Sequence, residues 1–129
     1  MKLLLDTSVI IDFQRTKQKQ DTWLFQLAER GNDLYISILT HAELYAGASI
    51  WESKAKKKEL EIVLSNLTVL PLSLEVSQMT GKIRHSFGIK MTDAIIAATA
   101  IINKISLATF DKKDFPRVKN LKLIKSHHQ

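Results

Sequence analysis

The chain contains no cysteine, only four glycines and two prolines, and no long apolar run. Without cysteine there is no disulfide scaffold, no thiolate zinc site, no iron–sulfur cluster and no cysteine nucleophile, and a reducing compartment suits such a chain. The longest apolar stretch, Ala94 to Ile102, is about half of the roughly 20 residues that a membrane-spanning helix needs. At the N-terminus, Met1-Lys2-Leu3-Leu4-Leu5-Asp6 holds three consecutive apolar residues, short of the roughly 7–15 of a signal-peptide core. A cytoplasmic location is therefore expected. With few glycines and prolines, no Ser/Gly-rich linker and no internal repeat, residues 1–125 are expected to form one domain, and 126–129 a disordered tail.

What is present is ordinary for a folded protein. The 129 residues are 45% apolar and 25% charged, enough to bury about 70% of the unfolded chain's surface. Nineteen Lys+Arg against thirteen Asp+Glu give a net charge of +6. Such a balance points to a polyanionic partner or serves solubility alone.

Short β-like runs alternate with longer helical ones, which argues for an α/β fold with a largely parallel sheet. Strands are expected at Lys2–Asp6, Leu34–Ser37, Thr68–Leu72 and Ile105–Thr109, with a fifth at the edge over Leu121–Ile124. Pro71 suits an edge strand or a strand end. Ser8 is expected to cap a helix to Gln14, Asp21 one that stops at Gly31, Ser73 one to Phe87, and Thr92 one over Asp93–Asn103. The last is apolar nearly all round and should be buried. Thr40–Lys58 reads as helical, with a break near Ala48-Ser49.

The thirteen acids are informative by position. Asp6 ends the first strand, Glu43 lies in the first turn of the helix after the second, Asp93 opens the most apolar helix, and Asp111 follows the fourth strand. Ligands of an open parallel sheet bind beyond the carboxyl ends of its strands. Four carboxylates gathered there repel one another and raise each other's pKa, so a cation must join them. Oxygen ligands without histidine or cysteine select Mg²⁺ or Mn²⁺ over zinc. Each acid also has a purely structural use. Asp6 can end a strand, Glu43 can complete a Thr40-His41-Ala42-Glu43 capping box, Asp93 can serve a helix dipole, and Asp111 and Asp114 can hold a turn.

Four segments, in order, carry a family resemblance: Leu4-Leu5-Asp6-Thr7-Ser8; Ser37-x-x-Thr40-x-x-Glu43-Leu44-x-x-Gly47; Met91-Thr92-Asp93-Ala94-Ile95-Ile96-Ala97-Ala98-Thr99-Ala100; and Leu107-Ala108-Thr109-Phe110-Asp111-x-x-Asp114-Phe115. Over nearly its whole length the chain resembles PIN-domain proteins, specifically VapC-type toxin ribonucleases of toxin–antitoxin pairs. The resemblance implies a three-layer α/β/α sandwich around a mainly parallel sheet of four to five strands. It implies that Asp6, Glu43, Asp93 and Asp111 hold Mg²⁺ or Mn²⁺, with support from Thr7, Ser8, Thr109 and Asp114. The implied reaction is hydrolysis of RNA by a metal-activated water, leaving a 5′-phosphate and a 3′-hydroxyl. A small VapB-like antitoxin and a homodimer are the implied protein partners.

From Ile101 onward, seven Lys/Arg face two acids. Lys112 and Lys113, directly after Asp111, are candidate RNA-backbone contacts, as is Arg84. His41 and His85 raise a metal-free acid–base ribonuclease. An inactive RNA- or partner-binding module on the same scaffold is the other alternative.

Overall fold

Strand β1 (Lys2–Leu5) lies at the centre of a five-stranded sheet in a computed structural model that describes residues 1–126. Its neighbours are β2 (Asp33–Ser37) on one side and β4 (Ser106–Ala108) on the other; β3 (Thr68–Leu70) and β5 (Leu123–Ile124) form the edges. Every pairing is parallel, in the order β3-β2-β1-β4-β5. The helices are α1 (Thr7–Arg15), α2 (Trp23–Glu29), α3 (Ile38–Tyr45), α4 (Ala48–Glu52), α5 (Lys54–Leu64), α6 (Leu74–Phe87) and α7 (Met91–Asn103).

Strand alternation sorts the apolar side chains into two cores. Leu3 and Leu5 pack with Val9 and Ile10 of α1, Trp23 and Leu24 of α2, and Leu60 of α5. Leu4, between them, faces the other way, toward Val76 and Ile83 of α6, Ala97 of α7, Leu107 and Phe115. The result is the expected three-layer α/β/α sandwich. β1 has all three leucines at or below 1% exposure, each contributing about 2 kcal/mol of burial. That is why its sequence is a continuous apolar run. Helix α7 buries Ala94, Ala97, Ala98 and Ala100 completely; small side chains let it lie close to both α6 and the sheet.

Several helix starts differ from expectation, and side-chain hydrogen bonding explains those of α1, α2 and α3. Asp6, not Ser8, caps α1, its carboxylate accepting from the Thr7 amide at 2.9 Å. Thr22 replaces Asp21 as the cap of α2, and Ser37 caps α3 by accepting from the Thr40 amide at 3.1 Å. Lys90, which offers no side-chain cap, precedes α7 in place of Thr92. The long helical stretch breaks at Gly47 and again at Ser53, which caps α5. Strand β3 is an edge strand that ends just before Pro71, as the proline suggests.

Ser126, placed by the sequence in a tail, is buried; residues 127–129 of that tail lie outside the described residues. Gly88 closes α6 at φ +65°, its amide donating to the Arg84 carbonyl. A β-carbon there would meet nothing within 4 Å, so Gly88→Ala should lose only the left-handed backbone preference, about 1 kcal/mol. Urea unfolding should show a lower midpoint with an unchanged slope.

Candidate active site

The chain winds outward from β1 through β2 to β3, then crosses back to place β4 on the opposite side of β1. The strand order therefore reverses between β1 and β4, and the crevice beyond their carboxyl ends is where such sheets take ligands. Asp6 follows β1 and Thr109 follows β4, joined across this crevice by Thr109 Oγ1 donating to Asp6 Oδ2 at 2.7 Å. Ser8 Oγ donates to the same oxygen at 2.9 Å. With the Thr7 amide on Oδ1, the buried Asp6 carboxylate accepts three hydrogen bonds.

Glu43 is tied in differently. Because α3 starts at Ile38, Glu43 lies in its second turn rather than its first, and Thr40 is not the helix cap. The capping-box role is thereby excluded. Instead Thr7 Oγ1 donates to Glu43 Oε1 at 2.7 Å. That bond uses the only Thr7 hydroxyl proton, so the Thr7–Thr40 contact at 2.9 Å must have Thr40 as donor. Ser37 Oγ in turn donates to Thr40 Oγ1 at 3.3 Å. Ser37→Thr40→Thr7→Glu43 is thus a one-way hydroxyl chain, in which each bond polarises the next. Its first two members are fully buried, and the glutamate at its end is exposed.

Asp93, Asp111 and Asp114 offer one carboxylate oxygen each, all within 4.8 Å of one another. Asp114, assigned a supporting role on sequence grounds, thus stands with two of the four principal acids. The loop after β4 brings it there: the Asp111 amide donates to Thr109 Oγ1, and Asp111 Oδ1 accepts from the amides of Lys113 and Asp114. Asp111 therefore does hold a turn, as one expectation had it, while contributing to the carboxylate group. Asp114 also pairs with Arg117 at 3.7 Å.

Asp93 is the least satisfied member. Its Oδ2 is buried without a hydrogen-bond partner among the described residues; Lys90 Nζ is 3.9 Å away. Burial pushes its carboxyl up to about 6; Lys90 opposes the rise, and the charges of Asp6, Asp111 and Asp114 add to it. An unpartnered buried oxygen beside two further carboxylates, with hard oxygen donors throughout, fits a divalent cation of the Mg²⁺ or Mn²⁺ type.

Lys112 and Lys113 are exposed beside Asp111, while Arg84 is exposed on α6. The His41 ring meets that of Tyr45 at a tilt, with centroids 4.9 Å apart, and His85 is exposed on α6. The sequence offers Thr40 as a helix cap rather than as a partner of Thr7, and does not single out Lys90. Lys90 stands three residues before Asp93, a spacing that pairs charges at a helix start. Thr40 stands in the family-like segment, but its role is not readable there because it depends on contact with a residue 33 positions away.

A family model of the PIN domain matches residues 3–121. The chain belongs to the PIN-domain family. It is 31% identical over 133 residues to Ribonuclease VapC1 of Rickettsia felis, covering 96% of both chains. To Ribonuclease VapC1 of Methanocaldococcus jannaschii it is 35% identical over 129 residues, covering 95% of this chain and 85% of the relative. The structure superposes on that of Rickettsia felis VapBC2 bound to a DNA fragment from its promoter with a TM-score of 0.79 and 25% identity, over 96% of this chain and 98% of the other. No helix among the described residues is long and apolar enough to cross a membrane.

Proposed function

We propose that this chain is the toxin of a VapBC-type toxin–antitoxin pair, an endoribonuclease that hydrolyses RNA phosphodiester bonds in a Mg²⁺- or Mn²⁺-dependent reaction. The observation that carries this is the Asp93 oxygen, buried without a hydrogen-bond partner among the described residues, beside further carboxylates at the sheet's reversal point. The likeness to VapC ribonucleases supports the reaction class, and the VapBC2 complex supports a VapB-like antitoxin partner.

Asp6, Glu43, Asp93 and Asp111 would hold the ion, with Asp114 close enough to share in it. When bound, the ion supplies the charge that lets these acids ionise together, polarises the phosphodiester and activates water. The chain's own groups do the rest. Ser8, Thr109 and the Thr7 amide fix the Asp6 carboxylate, and Thr7, oriented by Thr40, fixes that of Glu43. Lys112 and Lys113 attract the RNA backbone past an otherwise repellent cluster. Water adds to phosphorus, the bond to the 3′-oxygen breaks, and that oxygen takes the proton. One domain, a homodimer and a cytoplasmic location complete the proposal.

Cleavage of single-stranded RNA should require Mg²⁺ or Mn²⁺, stop in EDTA and return when the ion is restored. Product ends should be 5′-phosphate and 3′-hydroxyl. Products with 2′,3′-cyclic phosphate made in EDTA would instead identify a histidine mechanism. RNA binding without cleavage under every divalent ion tried would identify a binding module.

A further inference from the structure

Beside the carboxylates, on the β5 side, is a cavity of about 440 Å³ for which the chemistry above has no use. Thr109 and Asp111 belong to its wall, so it opens directly onto the proposed reaction centre. Pro116 and Ile124 supply apolar surface, and the exposed Lys112 and Lys125 line it as well. From Ile101 onward the only acids are Asp111 and Asp114, both in the carboxylate group. The other charged residues that line the cavity, Lys112 and Lys125, are cationic. A cavity of about 510 Å³ on the Glu43 side differs: Glu43 and Glu59 offset Arg15 and Lys56 there.

We propose that the β5-side cavity receives one nucleotide of the RNA strand, the one next to the phosphate that is cut. Its base lies on Pro116 and Ile124, and its phosphates lie against Lys112 and Lys125. The inference rests on RNA being the substrate. Three properties favour a nucleotide. The volume falls in the range of small-ligand sites, about 300–1,000 Å³. The combination of apolar wall and flanking cations matches a base carried on a charged backbone. Strand β5 is one spacing, about 4.8 Å, from β4, so the neighbouring nucleotide is within reach. A base held there gives the enzyme a preference at one position beside the cut.

Binding can be read without cleavage. Methyl-labelled protein in EDTA is titrated with the four 5′-nucleoside monophosphates, following the Leu123 and Ile124 methyl resonances. At least one nucleotide should shift both. Lys125→Ala should weaken that binding roughly tenfold. Pro116→Trp, which fills the cavity, should remove it, and Lys57→Ala on α5 should leave it unchanged. If Pro116→Trp does not fold, Lys125→Glu replaces it. Absence of shifts, shifts that survive both cavity variants, or equal shifts from inorganic phosphate overturn the proposal; a cavity built for a protein segment gives the first of these results. Cleavage maps on randomised single-stranded RNA provide the second readout. Pro116→Trp should flatten the base preference at one position next to the cut and leave the others intact; an unaltered map overturns the proposal. Nucleotide binding by a chain that cleaves no RNA would refute the nuclease function while leaving the nucleotide site standing.

Discussion

Asp93→Asn should abolish RNA cleavage and yet make the metal-free protein more stable. The activity loss is about 100-fold or more, as for removal of a charged metal ligand. The stability gain follows from the carboxyl being held at about 6 instead of its ordinary 3.8. Between those values the folded protein binds a proton that the unfolded chain has released, so wild-type stability falls as pH rises through that window. Above it the full penalty applies, about 3 kcal/mol at about 1.4 kcal/mol per pKa unit; Asp93 is only 8% exposed, so solvent relieves little of it. Asparagine carries no such charge, and its amide can donate to the neighbouring carboxylates. Melting curves from pH 4 to 8 in EDTA should show the two proteins converging near pH 4 and separating above it, with the variant the more stable. Mg²⁺ or Mn²⁺ should raise the melting temperature of the wild type much more than that of the variant. A variant less stable than wild type at pH 7 would contradict this account of the site.

Asp6→Asn should lose cleavage to a similar extent but with the opposite effect on stability. Ser8 and Thr109 both donate to Asp6 Oδ2, and the Thr7 amide donates to Oδ1. An amide must put an NH₂ group against one of these donors. The Thr7 N–H has no freedom to turn, so the nitrogen will face the two hydroxyls and take away their acceptor. Leaving buried donors unsatisfied costs about 1–3 kcal/mol. Melting temperature at pH 7 should therefore fall, where that of Asp93→Asn rises. The pair separates two kinds of acid: Asp6 accepts three hydrogen bonds that hold the local structure, whereas Asp93 is held at an energetic disadvantage. Equal shifts of the same sign in the two variants would remove that distinction.

Much of the architecture was legible because periodicity reports burial. The Leu3-Leu4-Leu5 run reads as a strand covered on both faces, and the Ala/Ile-rich stretch after Asp93 reads as a buried helix; both are so. Helix starts were less legible. Ser8 and Thr92 are good capping residues in isolation, but the helices begin two residues earlier than such caps would start them, at Thr7 and Met91. Capping preference identifies residue types, and tertiary contacts choose between nearby ones. For α1 the choice falls on Asp6 because Thr109 and Ser8 hold its carboxylate in place.

The candidate site divides in the same way. Position at strand ends singled out Asp6, Glu43, Asp93 and Asp111, but spacing did not say which acids would be nearest one another. That depends on the loop after β4, where Asp111 draws the amides of Lys113 and Asp114 inward and carries the Asp114 side chain alongside. Glu43 is connected through Thr7 and Thr40, a link that exists only once α1 and α3 have packed together. The cavity beside β5 had a partial signal in the cationic C-terminal segment, whereas its walls required the fold.

The central strand β1 and its neighbour β4 are adjacent in the sheet but far apart in the chain. Thr109 and Asp6, which meet across the crevice, are 103 residues apart in the chain. No early segment closes that loop; β4 must emerge from the ribosome before the two sides of the crevice can join. An incomplete chain ending before Ser106 lacks β4, Thr109 and Asp111, and so holds only part of the proposed ion site. Under the proposed nuclease function this order has a protective effect: translation interrupted before β4 yields fragments without the means to cut.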